Sequence, residues 1–144
     1  MRQDFLIIQN SPNISYDING NQLYLDDIDK IIKTLCLEYG STVEGRKESL
    51  KFYTGFNYKL PIIISNKYHL YYLCTRSLEA DDCVLINYQF LKAYHSLGNA
   101  TKLIFKNDFE IIVPVDYRII KRQIKILNKY LNEVLKRCYN SSYE

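Results

Sequence analysis

GSTVEGRKES, residues 40–49, and the LKFYTG that follows it, residues 50–55, settle how the chain divides. Two of the chain's five glycines bracket the first run, and Arg46-Lys47 stand directly after the second. Glycine lacks a Cβ and enters positive φ without steric cost. Gly40 therefore reads as the left-handed end of a preceding helix, and Gly45 as the hinge of a short polar turn. LKFYTG, aromatic and stopped by Gly55, reads as the first of a series of strands. A helix then lies before residue 40, a cation-bearing turn at 40–49, and strands beyond.

Upstream, ISYDINGNQLYL (14–25) sets Asn19-Gly20 between two alternating segments, the short-range signature of a hairpin. Residues 27–39 place Ile28, Ile31, Ile32 and Leu35 at helical spacing, with Asp26 or Asp27 as the N-cap. Downstream, LPIIISN and HLYYLC read as strands. TKLIFKNDFEIIVPV (101–115) reads as a second hairpin around Asn107-Asp108. Pro61 and Pro114 assign their strands to sheet edges or bulges.

The last segment, 117–138, is an amphipathic helix. Ile120, Ile124, Leu127, Leu131 and Leu135 form its apolar stripe, and Arg118, Lys121, Arg122, Lys125 and Lys129 the opposite one. Strands framed by two helices, without βαβ alternation, predict an α+β fold. One domain is expected over residues 1–144, with an antiparallel strand-rich core, a helix in the N-terminal half and a C-terminal amphipathic helix.

The composition agrees, since 47% hydrophobic and 24% charged residues make a globular balance. A chain of this length buries about two-thirds of the surface it exposes unfolded, so neither a disulfide nor a metal is required. The longest apolar runs, Phe5–Ile8, Leu60–Ile64 and Leu70–Cys74, fall far short of the roughly 18 residues that span a bilayer. The N-terminus is too short in apolar residues for a signal-peptide core, so a cytoplasmic protein is expected. Cys36, Cys74, Cys83 and Cys138 are scattered without a CxxC and read as reduced packing thiols.

Catalytic motifs are missing from the text. His69 and His95 are isolated, and no HExxH, GxSxG or paired zinc-ligand spacing occurs. A Cys83–His95 nucleophile pair is the one arrangement open to an enzyme, against the plainer reading of a buried thiol and a half-buried imidazole. EGRKES resembles the end of a phosphate-binding loop but lacks its first glycine. No catalysis, metal or cofactor is expected.

Charge is more telling. Residues 1–40 hold six acids and three bases, whereas residues 41–144 hold ten acids and sixteen bases. Such asymmetry points to a polyanionic partner. The cations of the last helix read either as a phosphate-contacting row or as a solvated face. Arg46-Lys47, on a turn beside Gly45, suits insertion into the narrow minor groove of A/T tracts; it also reads as a turn carrying solvated charge.

Taken in order, these residues resemble the ComK competence transcription factors. Gly40-Ser41-x-x-x-Gly45-Arg46-Lys47 is followed by Lys59-x-Pro61-Ile62. Thr75-x-Ser77 precedes Cys83-x-x-Ile86, then come Phe105-x-Asn107, Pro114-x-x-Tyr117 and Gln123. SYDING and Cys36 fit upstream, so the resemblance covers most of residues 15–131. The chain departs from the family pattern with Cys74 for Pro, Leu85 for Trp, Asp116 for Ser and Asp108 for Gly. The strand-rich stretch from Cys83 to Pro114 with its following helix is also similar to LytTR-type DNA-binding domains, a likeness of fold alone.

The resemblance implies a DNA-binding activator of DNA-uptake genes, oligomeric on DNA, reading A/T-rich boxes mainly through the minor groove, with RNA polymerase as a further partner. Arg46 and Lys47 are the expected groove contacts. Lys51, Lys59, Arg76 and Lys102 are the expected phosphate contacts, and Gly40 and Gly45 shape the turn. The competing expectation is a protein-binding regulatory module that has lost DNA binding.

Overall fold

LPIIISN and HLYYLC contribute strands with no polar alternation, and that property organises the molecule. The computed structural model describes residues 5–9, 14–17, 19–24 and 28–141. Its strands are β1 (Phe5–Gln9), β2 (Ile14–Asp17), β3 (Gln22–Tyr24), β4 (Ile62–Ser65), β5 (Leu70–Cys74), β6 (Val84–Asn87), β7 (Leu91–Leu97), β8 (Ala100–Phe105) and β9 (Glu110–Val113). The helices are α1 (Ile28–Glu38), α2 (Val43–Thr54) and α3 (Tyr117–Ser141). Six strands form one antiparallel sheet in the order β3-β2-β1-β6-β5-β4, and β7-β8-β9 form a second. The α+β architecture expected from the sequence is present.

Every residue of β4, β5 and β6 is buried. An antiparallel strand with one wet face alternates apolar and polar residues, so these strands require cover on both sides. On one face Ile62, Ile64, Leu70, Tyr72 and Leu85 pack against Ile28, Ile31, Ile32 and Leu35 of α1. On the other, Ile63, Tyr71, Leu73, Val84 and Ile86 meet Leu103, Phe105 and Val113 of the second sheet and Ile120, Ile126, Leu127 and Tyr130 of α3.

The hairpin of β2 and β3 forms as read, with Ile14 opposite Tyr24 and Gly20 at φ 81°. Its turn is tied by the buried carboxylate of Asp17, which accepts from the N–H groups of Asn19 and Asn21 at 2.9 and 3.0 Å. The β8–β9 hairpin turns through Asn107 and Asp108, whose φ of 67° is left-handed. β4 and β9 are both edge strands, consistent with Pro61 and Pro114 beside them. Gly40 closes α1 at φ 80°, donating its N–H to the Leu37 carbonyl. Asp26 and Asp27, the expected caps of that helix, lie outside the described residues.

Residues 43–54 correct the sequence reading. They form one helix where a turn and the strand LKFYTG were expected. Thr42 is extended and accepts the N–H of Gly45 on its hydroxyl at 3.0 Å, while Gly55 closes the helix at φ 77°. Gly45 therefore stands in the first helical turn, not at a hinge, and a Cβ there would meet Thr42 Oγ1 at 3.1 Å. Aromatic content is a weak strand signal, and two cap residues outweigh it. Val43 packs into one core and Leu50 into the other, so α2 passes around the β4 edge and covers it.

Helix α3 begins where expected, capped by Asp116, whose carboxylate accepts the Arg118 N–H at 2.8 Å. Its buried line runs through Ile120, Gln123, Ile126, Leu127 and Tyr130, with Leu131 half-buried and Leu135 66% exposed. The stripe is rotated from the sequence reading because α2 packs on that flank, with Tyr53 edge-on to Tyr130 at 5.6 Å.

Stability reports on two of these helix ends. A Cβ at Gly55 would meet nothing within 4 Å, so Gly55→Ala should cost only the left-handed penalty, about 1 kcal/mol, and Gly55→Asn less, as read from urea midpoints. Hydrogen bonding from the Arg118 side chain holds the Asp116 carboxyl below its ordinary value. A depressed folded pKa stabilises above the unfolded pKa and is lost as pH falls through the folded one. Asp116→Asn retains a cap oxygen but not the charge, so its stability deficit against wild type should shrink as unfolding is repeated at successively lower pH.

Candidate nucleic-acid interface

The antiparallel register sets Ile62 opposite Tyr72, so the start of β4 lies beside the end of β5. At that end of the large sheet three segments converge: the loop entering β4, the loop leaving β5, and the first turns of α3. Gln123, 1% exposed, ties them together. Its Oε1 accepts the Cys74 N–H at 3.1 Å, and its Nε2 donates to the Lys59 carbonyl. The side-chain amide thus substitutes for one more ladder pair where Lys59, at φ 52°, has left strand geometry.

Arg122 locks the same loop from outside. Its guanidinium donates to the carbonyls of Lys59 and Tyr58 at 2.8 and 3.1 Å and lies 5.0 Å over the Tyr58 ring. The planar fork of arginine suits two acceptors at once. Lys129 donates to the Thr54 carbonyl at 2.8 Å, a cation on the C-terminus of α2. Arg118 pairs with Asp116 at 3.1 Å. Two cations of the expected charged stripe, Arg122 and Lys129, therefore join distant segments of the fold, while Arg118 pairs locally at the start of its own helix.

The cations singled out in the sequence separate into groups. Lys47 is exposed on α2, Lys59 enters β4, and Arg76 follows β5 by two residues. All three are exposed, and Lys59 and Arg76 belong to the two loops that meet at this end of the sheet. Arg76 also meets Asp82 at 2.9 Å, both side chains being more than half exposed, a pair of little energetic weight. Arg46 is half-buried, and its Nε donates to Ser41 Oγ at 2.8 Å, which orients the guanidinium. Lys51 is exposed one turn beyond Lys47. Lys102 belongs to the other sheet, on the outward face of β8, with its ammonium 3.3 Å from Glu110. Gly40 shapes a chain reversal, whereas Gly45 is helical.

The thiol reading holds for Cys36, Cys74 and Cys83, which are free and buried; the side chain of Cys138 lies outside the described residues. Cys74 and Cys83 stand 4.0 Å apart, sulfur to sulfur, both directed at the Arg76 carbonyl at 2.8 and 3.4 Å. The hydrogen bond to Cys83, then burial, pushes the Cys74 thiol well up. The Cys83–His95 pairing is not formed. Cys83 sits in the α1-side core of the large sheet, and His95 is exposed on β7 of the small one. Among the described residues no cluster of metal-ligating side chains occurs, and no helix is long and apolar enough to cross a membrane.

Sequence reasoning named Gln123 without giving it a role. A polar residue one turn from Ile120 and Ile126 on a buried line was the available signal. The clamps made by Arg122 and Lys129 had none, since each joins residues more than 60 positions apart.

A family model described as ComK protein matches residues 13–138, most of the chain. No curated protein and no solved structure matches it.

Gln123→Leu preserves volume but strands the buried Cys74 N–H, whereas the Lys59 carbonyl keeps Arg122. The cost should be about 1–3 kcal/mol in chemical unfolding; a neutral outcome would show that the amide is not the tie described.

Proposed function

We propose, since the chain belongs to the ComK family of competence transcription factors, that it is a sequence-selective double-stranded DNA-binding activator of DNA-uptake genes. It reads A/T-rich boxes mainly through the minor groove. The observation that carries this reading is that Lys59 and Arg76, both exposed and from separate segments, have their backbones held at one end of the six-stranded sheet around Gln123 and Cys74; Lys47, exposed on α2, is a further cation of the same reading. Both faces of that sheet are covered, so its end is where chain segments of different origin present charge together. Phosphates attract such a cluster without reading sequence.

Arg46 supplies the reading element. Its Nε is already anchored on Ser41, so less side-chain freedom is lost when the guanidinium enters a groove. Narrow A/T minor grooves concentrate negative potential and favour that insertion. Lys51 extends the phosphate contacts along α2. Lys102 makes a separate contact from the small sheet, weakened by Glu110. The protein acts in the cytoplasm, as an oligomer on its operator, with RNA polymerase as partner, and without catalysis or cofactor.

One observation favours a second reading, a protein-binding module that has lost DNA binding. Glu44 and Glu48 are exposed on α2 between and beside Lys47 and Lys51, so that helix face is electrically balanced.

Titration of fluorescent duplexes over a range of salt separates the readings. Wild type should bind, and Lys47→Ala and Arg76→Ala should each flatten the log–log salt slope by about 0.9 for A/T-rich and mixed duplexes alike. Arg46→Ala should lose the preference for A/T-rich duplex as well as affinity. Undiminished preference removes Arg46 from the groove, and no binding by wild type at low salt favours the second reading over the first.

A further inference from the structure

An open groove of about 530 Å³ runs along the solvent side of α3, walled by Tyr94 of β7. Along it Lys121, Lys125, Asn128, Asn132 and Lys136 follow one another at steps of four, three, four and four residues, and Ile124, Lys129 and Glu133 line it as well. On a helix such steps stay on one face. Fifteen residues at 1.5 Å each extend the line about 22 Å.

These side chains differ from the other cations of α3 in having no structural task. Lys121 and Lys125 are exposed and make no hydrogen bond or ion pair among the described residues. Lys136, its side chain 71% exposed, meets only Glu133, one turn away at 3.6 Å, a contact of little weight. Asn128 and Asn132 are exposed too. Asparagine is a poor helix residue because its amide competes for backbone bonds, so two of them in mid-helix without a partner are not explained by folding. Every group on the line is a hydrogen-bond donor and three are cationic, and Glu133 is the single acid among the residues that line the groove.

We infer that this line is a second DNA contact, a track for the sugar–phosphate backbone beside the sheet-end site. The inference rests on the DNA-binding reading above and extends it to a surface that the sequence left as either contact or solvated face. Charge complementarity selects the occupant. A second copy docked face to face would oppose lysine with lysine, whereas a duplex offers one phosphate per 3.4 Å of each strand, so a line of about 22 Å follows several phosphates in succession. The track starts at the same turn of α3 that holds the first site, since Lys121 precedes Arg122 and Gln123, which bind the loop carrying Lys59, although it lies on the helix's other flank. Amide and ammonium donors aimed at phosphate carry no base information, so this surface adds affinity and footprint without changing the sequence read.

The triple variant K121Q/K125Q/K136Q alters only exposed side chains, and its circular dichroism should match wild type. In salt titrations with A/T-rich duplex its log–log slope should fall by about 2.7, three contacts at about 0.9 each, while its preference for A/T-rich over mixed duplex stays the same. N128A/N132A should raise the urea midpoint, because alanine favours the helix, and yet bind more weakly. Wild type that binds while the triple variant keeps its slope overturns the track and leaves the sheet-end site standing. Loss of A/T preference in the triple variant also overturns it, since the line would then read bases. Wild type that fails to bind any duplex removes both.

Discussion

The three strands β4, β5 and β6 have no face that can be left in water, and the rest of the molecule is arranged around that constraint. At about 25 cal/mol per Å² of apolar surface, exposing either face would cost more than a domain's net stability. One face takes α1 and the other takes α3 with the small sheet, while α2 closes the β4 edge. With both faces and an edge occupied, the sheet's end and the outer surface of the covering helix remain open to solvent. Lys59 and Arg76 are exposed at the first, and Lys121 and Lys125 on the second.

Charge in the sequence and charge available to a ligand are different quantities in α3. Arg122 and Lys129 direct their donors at carbonyls of the loop entering β4 and of α2, packing against the Phe56 ring at 5.6 Å each. Helices end with unpaired carbonyls, and loops entering a sheet leave others, so a long cationic helix laid across both is a natural source of donors. The lysines facing the other way keep theirs. One helix thus carries a structural flank and an unengaged flank, separated by little more than its own rotation.

The four positions at which the sequence departs from the ComK pattern it resembles are each accommodated in this fold. Asp116 caps α3, where aspartate and serine serve equally well. Asp108 holds φ 67°, a left-handed position that aspartate tolerates better than most residues. Cys74 offers an N–H, which a proline would lack, and Gln123 accepts it. Leu85 is fully buried.

Local pattern alone was enough for the α+β class, both hairpins, the extent of α1 and α3 and the apolar face of α1, because each is written as a short period or a turn residue. Gly40 announced the end of α1 in the same way. Gly45 and LKFYTG misled, since glycine and aromatics are compatible with several conformations and the decisive caps, Thr42 and Gly55, stand at opposite ends of a 12-residue helix. The approach of the loops carrying Lys59 and Arg76, the tie through Gln123 and the division of α3 into engaged and unengaged cations arise only when the whole chain packs. Each depends on which backbone groups the covered sheet brings opposite a given side chain, and no neighbouring residues encode that distance.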